Sequence, residues 1–466
     1  MLGVPTFVSF VDDVDEPTCC IDDFGPLPLV RPRTIAEVGE VVRRAVADKQ
    51  AIYPVGGRTL LGIGLPPTKP GLAVDLRGLA EVVDYPARDM TITVQAGITL
   101  ARLQALLAAE NQRLPLDIPD AENATLGGAL AANISGPHRL GFGTARDYVI
   151  GISTINDDGM EVKAGGRVVK NVAGYDLCKL HVGALGTLGI ISQVTLKLRP
   201  LPESKALVAF GCEGEALERL LNRLHDSATR PVCLDVVNRN AAVDLARSAA
   251  VRLPDAPWTI LVGFEDNNDA VNWQIRKLLE ELDPHEVEGL EAHAGAASDP
   301  LWQALVDFSL SGGRKPTERT LSGLTPTERT LSGLTPTERT LSGLTPTAQG
   351  LSFKANLLPS AAAAFCLQAA AMPEPMRLHA HAGSGIVYGH LDGDLTLPRA
   401  SAMLNELTET AVQAQGNLVL PRCPIEWKRE LSVWGRERGD SWLMRQVKDK
   451  MDPHCVFNPG RFAAGI

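Results

Sequence analysis

The sequence predicts an α+β protein: a glycine-rich N-terminal domain of two subdomains, followed by an α+β domain with a mostly antiparallel sheet. Three observations point there. Strand-like and helical runs alternate along the chain. Glycine, 43 of 466 residues, gathers in three regions before position 200. From about 205 to 425 the strand-like runs KALVAFGC, PVCLDVVNR, WTILVGFED, LSFKANL, RLHAHA, GIVYGHL and GNLVLP follow one another in hairpin and β-α-β order.

The first helix is signalled by Thr34 and Glu37, which form a capping box ahead of Val38, Val41, Val42 and Ala45 at helical spacing. A strand AIYPV follows, then a glycine loop and a second strand LAVDL at 72–76. TITVQAGIT, 91–99, alternates as a half-buried strand does, and Thr99 caps the helical run LARLQALLAAENQ. The strand IISQVTLKLRP leads to LRPLPE at 198–203, the exit from the first domain. In the second half, EALERLLNRLHDS and DAVNWQIRKLLEEL read as helices, and LLPSAAAAFCLQAAAM reads as a buried, Ala-rich helix that ends at Pro373. The expected organisation is an N-terminal extension (1–25), a glycine-rich domain (26–203), a second domain (204–425) and a C-terminal segment returning to the first (426–466).

Composition excludes several classes. A hydrophobic fraction of 45% with 21% charged residues is that of a soluble globular chain. A net charge of −10 argues against nucleic acid, whose phosphates demand clustered Lys and Arg. Eight scattered cysteines without a C-x-x-C pair lack the spacing of a structural zinc site or an iron–sulfur cluster, and they suit a reducing compartment. The N-terminus has no basic stretch typical of a signal peptide, and no uncharged apolar run reaches membrane-spanning length. A cytoplasmic protein is expected, at most peripherally associated with a membrane.

One segment stands apart. PTERTLSGLT occurs three times unchanged, at 316–325, 326–335 and 336–345. A ten-residue unit with Pro, Gly and two leucines buries no core, so the tract reads as an expanded surface loop. A docking role is the alternative reading.

The first glycine region, Pro54-Val55-Gly56-Gly57-Arg58-Thr59, follows a strand. Glycines there let backbone N–H groups converge on an anion, and Arg58 or Thr59 adds a donor. It matches neither the Walker loop, having no Lys-Ser/Thr, nor G-x-G-x-x-G, since prolines follow Gly64. Taken alone it is as compatible with a turn. The second region, 114–147, presents Thr125, Gly127, Gly128, Ala131, Ala132 and Ser135 as a small-residue surface, with Asn133 and Arg146 as polar anchors. The third, 165–192, contains VKNVAGYDL and GALGTLGIIS.

In this order, P-x-G-G-R-T, A-T-L-G-G-A-L-A-A-N-x-S-G with G-T-A-R-D, V-K-N-V-A-G-Y-D-L and G-T-L-G-I-I-S resemble the PCMH-type FAD-binding domain of the vanillyl-alcohol oxidase and p-cresol methylhydroxylase superfamily. Within it, the chain is most similar to FAD-binding accessory subunits of bacterial glycolate oxidase, and the closing D-P-x-x-V-F-N-P-G-R-F supports that neighbourhood. The resemblance implies two subdomains that clasp an extended FAD, with a cap domain over the flavin. It places Pro54, Val55, Gly56, Gly57, Arg58 and Thr59 around the diphosphate. Thr125, Leu126, Gly127, Gly128 and Asn133 fall along the path to the flavin, with Gly136 and Arg146 nearby. Gly189, Ile190 and Ile191 fall on the adenine or ribityl side, although the two isoleucines read equally as a core strand. The pairs Lys170-Asn171 and Tyr175-Asp176 read as fixing the fold. Relatives that tether flavin do so through a histidine or cysteine absent from these loops, so noncovalent FAD is expected.

Catalytic relatives carry a cap motif like H-x-G-D-G-N-x-H and a later glutamate–histidine pair, which hold a metal. Here the stretch is His381-Ala-Gly-Ser-Gly-Ile-Val-Tyr388, with Tyr388 in place of the second histidine and Ser384 in place of the aspartate. His379 and His381 share a strand face but lack a carboxylate partner, so hydrogen-bonded sheet histidines are expected and no metal. His379, His381 and Tyr388 are the catalytic candidates; His138 and His390 offer no better case. The resemblance implies an FAD subunit that works with a catalytic FAD subunit and an iron–sulfur subunit on a small 2-hydroxy acid. A self-sufficient D-2-hydroxy-acid dehydrogenase and a non-catalytic flavoprotein scaffold are the alternatives.

Overall fold

Apolar residues at every second position, punctuated by Gly and Pro, build three main sheets. The computed structural model describes residues 18–167, 175–310, 350–391 and 395–466. The triple repeat and the Lys170-Asn171 pair lie outside the described residues.

The first sheet has the order Thr18–Ile21, Phe24–Val30, Gly71–Asp75, Ala51–Val55. Its last two neighbour pairings are parallel, because helix Ile35–Ala47 carries the chain across between strands. Residues 18–25, expected in the N-terminal extension, thus belong largely to this sheet. Thr34 caps the helix by accepting from the N–H of Glu37 at 3.2 Å. The Glu37 carboxylate reaches back to the N–H of Arg33 rather than to that of Thr34, at 2.7 Å. Val38, Val42 and Ala45 face inward.

The second sheet is antiparallel throughout, in the order Val82–Asp84, Thr91–Gln95, Ile190–Lys197, Val149–Ile155, Glu161–Gly165. Thr99 caps helix Leu100–Ala108. That helix ends before the expected Gln112, because Gln112 and Arg113 turn to pair with Arg199 and Pro200.

The third sheet has eight strands and only antiparallel pairings, in the order Glu288–Ala294, Ser204–Cys212, Trp258–Asp266, Cys233–Asn238, Met376–His381, Ile386–Leu391, Leu351–Asn356, Asn417–Arg422. One face buries Leu234, Val236, Leu378, Val387 and Phe353 beneath helices Gly214–His225, Ala362–Ala370 and Leu397–Gln413. Each such side chain contributes on the order of 1.5–3 kcal/mol by leaving water. The Ala-rich helix is buried through Ala362, Ala363, Phe365, Cys366 and Ala369.

The opposite face follows from the same alternation. Register places Val237, His379, Tyr388 and Lys354 side by side across four strands, with Asp235 opposite His381. A polar row therefore runs along the face turned toward helices Arg239–Ala249 and Asp299–Asp307 and the loop near Ser135.

Candidate cofactor cleft and its roof

The three glycine regions, distant in sequence, converge on one cleft. It is lined by Pro54, Val55 and Gly56 from the first region, Thr125, Gly127, Gly128 and Ala131 from the second, and Leu185, Gly186, Gly189 and Ile191 from the third. Leu76, Ala96 and Asn458 complete it.

The glycines serve close approach as well as any ligand. A Cβ on Gly56 would meet the Thr125 side chain, and one on Gly57 would meet the carbonyl of Asn123. A Cβ on Gly127 would stand 2.9 Å from that of Ala96. Only glycine lets the first two loops press together and leave their outer backbone surfaces to the cleft. Thr125 caps the short helix Leu126–Ala132, and Leu126 itself is buried in the core. Asn133 ends that helix in the left-handed region at φ 50. Its side-chain Oδ1 is buried without a hydrogen-bond partner among the described residues. Asn133 is not itself among the residues lining the cleft, although it follows Ala131, which is. A buried acceptor without a partner is one that a donating ligand could satisfy.

Other expected residues are placed elsewhere. Gly57, Arg58 and Thr59 continue the first loop beyond the lining, with Arg58 at φ 58. Gly136 lines a smaller recess with Ser135, Arg139 and Asp117. Arg146 is exposed and donates to the Lys179 carbonyl at 3.0 Å, away from the cleft. Ile190 is wholly buried in the core, while its neighbour Ile191 reaches the cleft.

The polar row of the large sheet meets the second glycine region at Ser135. The Tyr388 hydroxyl donates to the Ser135 carbonyl at 3.4 Å, and Arg139 donates to the Ser135 hydroxyl at 2.7 Å. Behind Tyr388, Asp235 supplies the carboxylate that the histidines lack in sequence. Its Oδ2 lies 2.7 Å from His379 Nε2 and its Oδ1 lies 2.9 Å from His381 Nδ1. All three residues are buried, and their ligand-capable atoms lie close enough to hold a metal ion. Ligands around tetrahedral zinc stand about 3.3 Å apart. The shorter spacing here, with one oxygen per imidazole, is that of hydrogen bonds. Burial opposes the Asp235 charge, but His381 and His379 outweigh it and hold its carboxyl far below the usual range. Burial lowers the pKa of His379 despite the Asp235 charge. His390 bonds the Ser352 hydroxyl at 2.8 Å, and burial lowers its pKa to about 3.

A second charged cluster had no clear signal in sequence. His138 Nδ1 lies 2.7 Å from Asp117 and its Nε2 lies 3.1 Å from Glu265 on the large sheet. Carboxylates only accept, so both ring nitrogens donate and the imidazole is an imidazolium. Burial works against that charge, yet Asp117 and Glu265 raise its pKa to about 9. Its ring stacks on Trp302 at 4.3 Å, and Arg113 forks onto Glu265. This cluster ties the loop that carries Ser135 and Arg139 to the large sheet.

Comparisons with known proteins match part of the chain. The FAD binding domain model matches residues 26–165. Glycolate oxidase subunit GlcE of Escherichia coli (strain K12) is 36% identical over 166 residues, 35% of this chain and 47% of that protein. Glycolate oxidase subunit GlcD of Bacillus subtilis (strain 168) is 30% identical over 244 residues, 52% of each chain. D-2-hydroxyglutarate dehydrogenase of Xanthomonas citri pv. viticola is 34% identical over 187 residues, 40% of each. The chain thus spans about half, or less, of the length of these relatives. Among solved structures, alkyldihydroxyacetonephosphate synthase superposes with a TM-score of 0.62 at 17% identity, over 93% of this chain and 77% of that one. This last likeness is one of fold. No helix among the described residues is long and apolar enough to cross a membrane.

Proposed function

Given that residues 26–165 are an FAD-binding domain and that the chain is homologous to glycolate oxidase subunits, we propose that it is the FAD-binding subunit of a glycolate oxidase-type complex acting on a small 2-hydroxy acid. The cytoplasm is its proposed compartment. Noncovalent FAD would lie in the cleft between Val55-Gly56, Thr125-Gly128 and Leu185-Gly189, with Asn133 Oδ1 accepting from it. When bound, FAD supplies the two-electron acceptor for oxidation of the hydroxy acid.

The observation that carries the subunit reading is the engagement of the catalytic candidates His379, His381 and Tyr388 by groups of the chain itself. Oxidising a hydroxy acid requires a base for the hydroxyl proton. Asp235 accepts from both His379 and His381, and the Tyr388 hydroxyl donates to Ser135. Burial raises the pKa of Tyr388 further from neutrality. The sequence also lacks the metal-binding motif of catalytic relatives. A catalytic FAD subunit would supply that chemistry, and an iron–sulfur subunit would carry electrons onward.

One observation favours the second reading, a self-sufficient D-2-hydroxy-acid dehydrogenase. Lys354 Nζ stands 5.8 Å from the Tyr388 ring centroid. Burial, and then the charge of Arg139, lower its pKa to about 8. Among the described residues neither Lys354 nor Arg139 forms an ion pair, which leaves two cations for a substrate carboxylate. Anaerobic reduction of the flavin by a panel of 2-hydroxy acids, with and without co-purified partners, separates the readings. Bleaching only in the complex supports the subunit; bleaching of the isolated chain supports the dehydrogenase.

A further inference from the structure

The C-terminal motif D-P-x-x-V-F-N-P-G-R-F is part of a segment that wraps two of the three glycine loops. Val456 and Asn458 flank a parallel bridge to the strand that enters the first loop: Ile52 N–H donates to Val456 O at 2.7 Å, and Asn458 N–H to Ile52 O at 2.9 Å. Asp452 holds the turn by accepting from the N–H groups of Val456 and Phe457 at 3.0 and 2.9 Å.

Four side chains of this segment then grip loop carbonyls. Lys428 Nζ bonds Gly62 O at 2.6 Å and Asp22 at 2.8 Å. Arg461 Nη2 bonds Leu61 O at 2.6 Å and Ile63 O at 2.5 Å. On the third loop, Lys448 Nζ bonds Thr187 O at 2.7 Å, and Asn458 Nδ2 bonds Leu185 O at 2.5 Å. The three cations are 2–5% exposed. Burying them is costly unless they are paired, so the contacts are specific to the docked segment.

Two consequences bear on an anionic ligand. In a planar trans peptide the C=O and N–H point in opposite directions. Drawing Leu185 O toward Asn458 therefore turns the N–H of Gly186, a lining residue, to the other side. Lys428 and Lys448 each have an acidic partner, Asp22 and Asp452. Among the described residues Arg461 donates to carbonyl oxygens and forms no ion pair, with the Asp22 carboxylate acting on it only at longer range. It therefore places positive charge behind the first loop, where a diphosphate is proposed.

We infer that residues 428–461 form a cofactor-retaining strap, in which Arg461, Lys448 and Asn458 are positioning residues for the diphosphate-bearing part of FAD. The inference rests on the proposal that the cleft holds FAD. Binding and strap docking are then reciprocal: FAD secures the strap, and the docked strap raises the affinity for FAD.

The test uses the full chain stripped of flavin, titrated with FAD by quenching of flavin fluorescence. R461M and N458G should each weaken binding about tenfold or more, with R461K recovering part of the loss. N458G buries no orphaned charge and tolerates the left-handed backbone of Asn458 at φ 43, so it reports even if R461M folds poorly. FAD should also protect the wild-type C-terminal segment from limited proteolysis. Variants that melt lower but bind FAD like the wild type would reduce the strap to a structural element and overturn the inference, as would absence of FAD-dependent protection. A wild-type chain that takes up no FAD would instead sink the cofactor proposal, and the strap's role with it.

Discussion

Gly56 and Thr125 touch so closely that a single methyl group on Gly56 would overlap the Thr125 side chain. This contact brings the first two glycine regions together to make the cleft. Gly56→Ala should force the loops apart, cost about 1–3 kcal/mol of stability as overpacked sites do, and weaken FAD binding. Chemical denaturation and FAD titration of the same sample check both effects.

Asn133 offers a sharper test of the cleft's chemistry. Its φ of 50 is left-handed, so Asn133→Gly keeps the backbone and removes only the side chain. If Oδ1 accepts a hydrogen bond from the cofactor, the variant should bind FAD about tenfold more weakly, a change near 1.4 kcal/mol. Stability of the flavin-free chain should change little.

The cluster around His138 predicts a defined pH profile. Its pKa is raised from 6.5 to about 9, so its contribution is fully present below about pH 6.5 and is lost as pH rises through about 9. Glu265, whose burial is outweighed by His138 and Arg113, falls from 4.5 to about 2. Its contribution is present above about pH 4.5 and is lost as pH falls toward 2. The melting temperature should therefore be highest near pH 5–6.5 and decline on both sides. His138→Gln should flatten the alkaline limb while leaving the limb set by other carboxylates.

Asp235 should be structurally indispensable. Asp235→Leu leaves two buried imidazoles without their acceptor, and breaking such a buried set costs about 3–5 kcal/mol. Asp235→Asn keeps the shape and should cost less. Denaturant midpoints of the two variants check the order; equal, small losses would contradict the hydrogen-bonded triad.

Local features were legible in sequence. Thr34 and Thr99 cap the expected helices, the Ala-rich run is buried, and the strand runs of the second half form the antiparallel sheet. Each depends on neighbouring residues. The glycine regions were legible because several features in a fixed order carry more information than one loop. Asp235 was not, because strand pairing alone brings it beside histidines 144 and 146 residues away. The strap cations were hidden for the same reason: Arg461 meets a carbonyl 400 residues earlier. Arg146 looked like an anchor from its motif, but its helix directs it to the Lys179 carbonyl.

The central claim is that this chain holds FAD noncovalently in the cleft formed by its three glycine loops. Visible absorbance before and after acid precipitation tests it most directly. The account predicts a yellow protein that releases about one FAD per chain into the supernatant. A colourless chain that takes up no added FAD, or flavin that stays with the pellet, would contradict it.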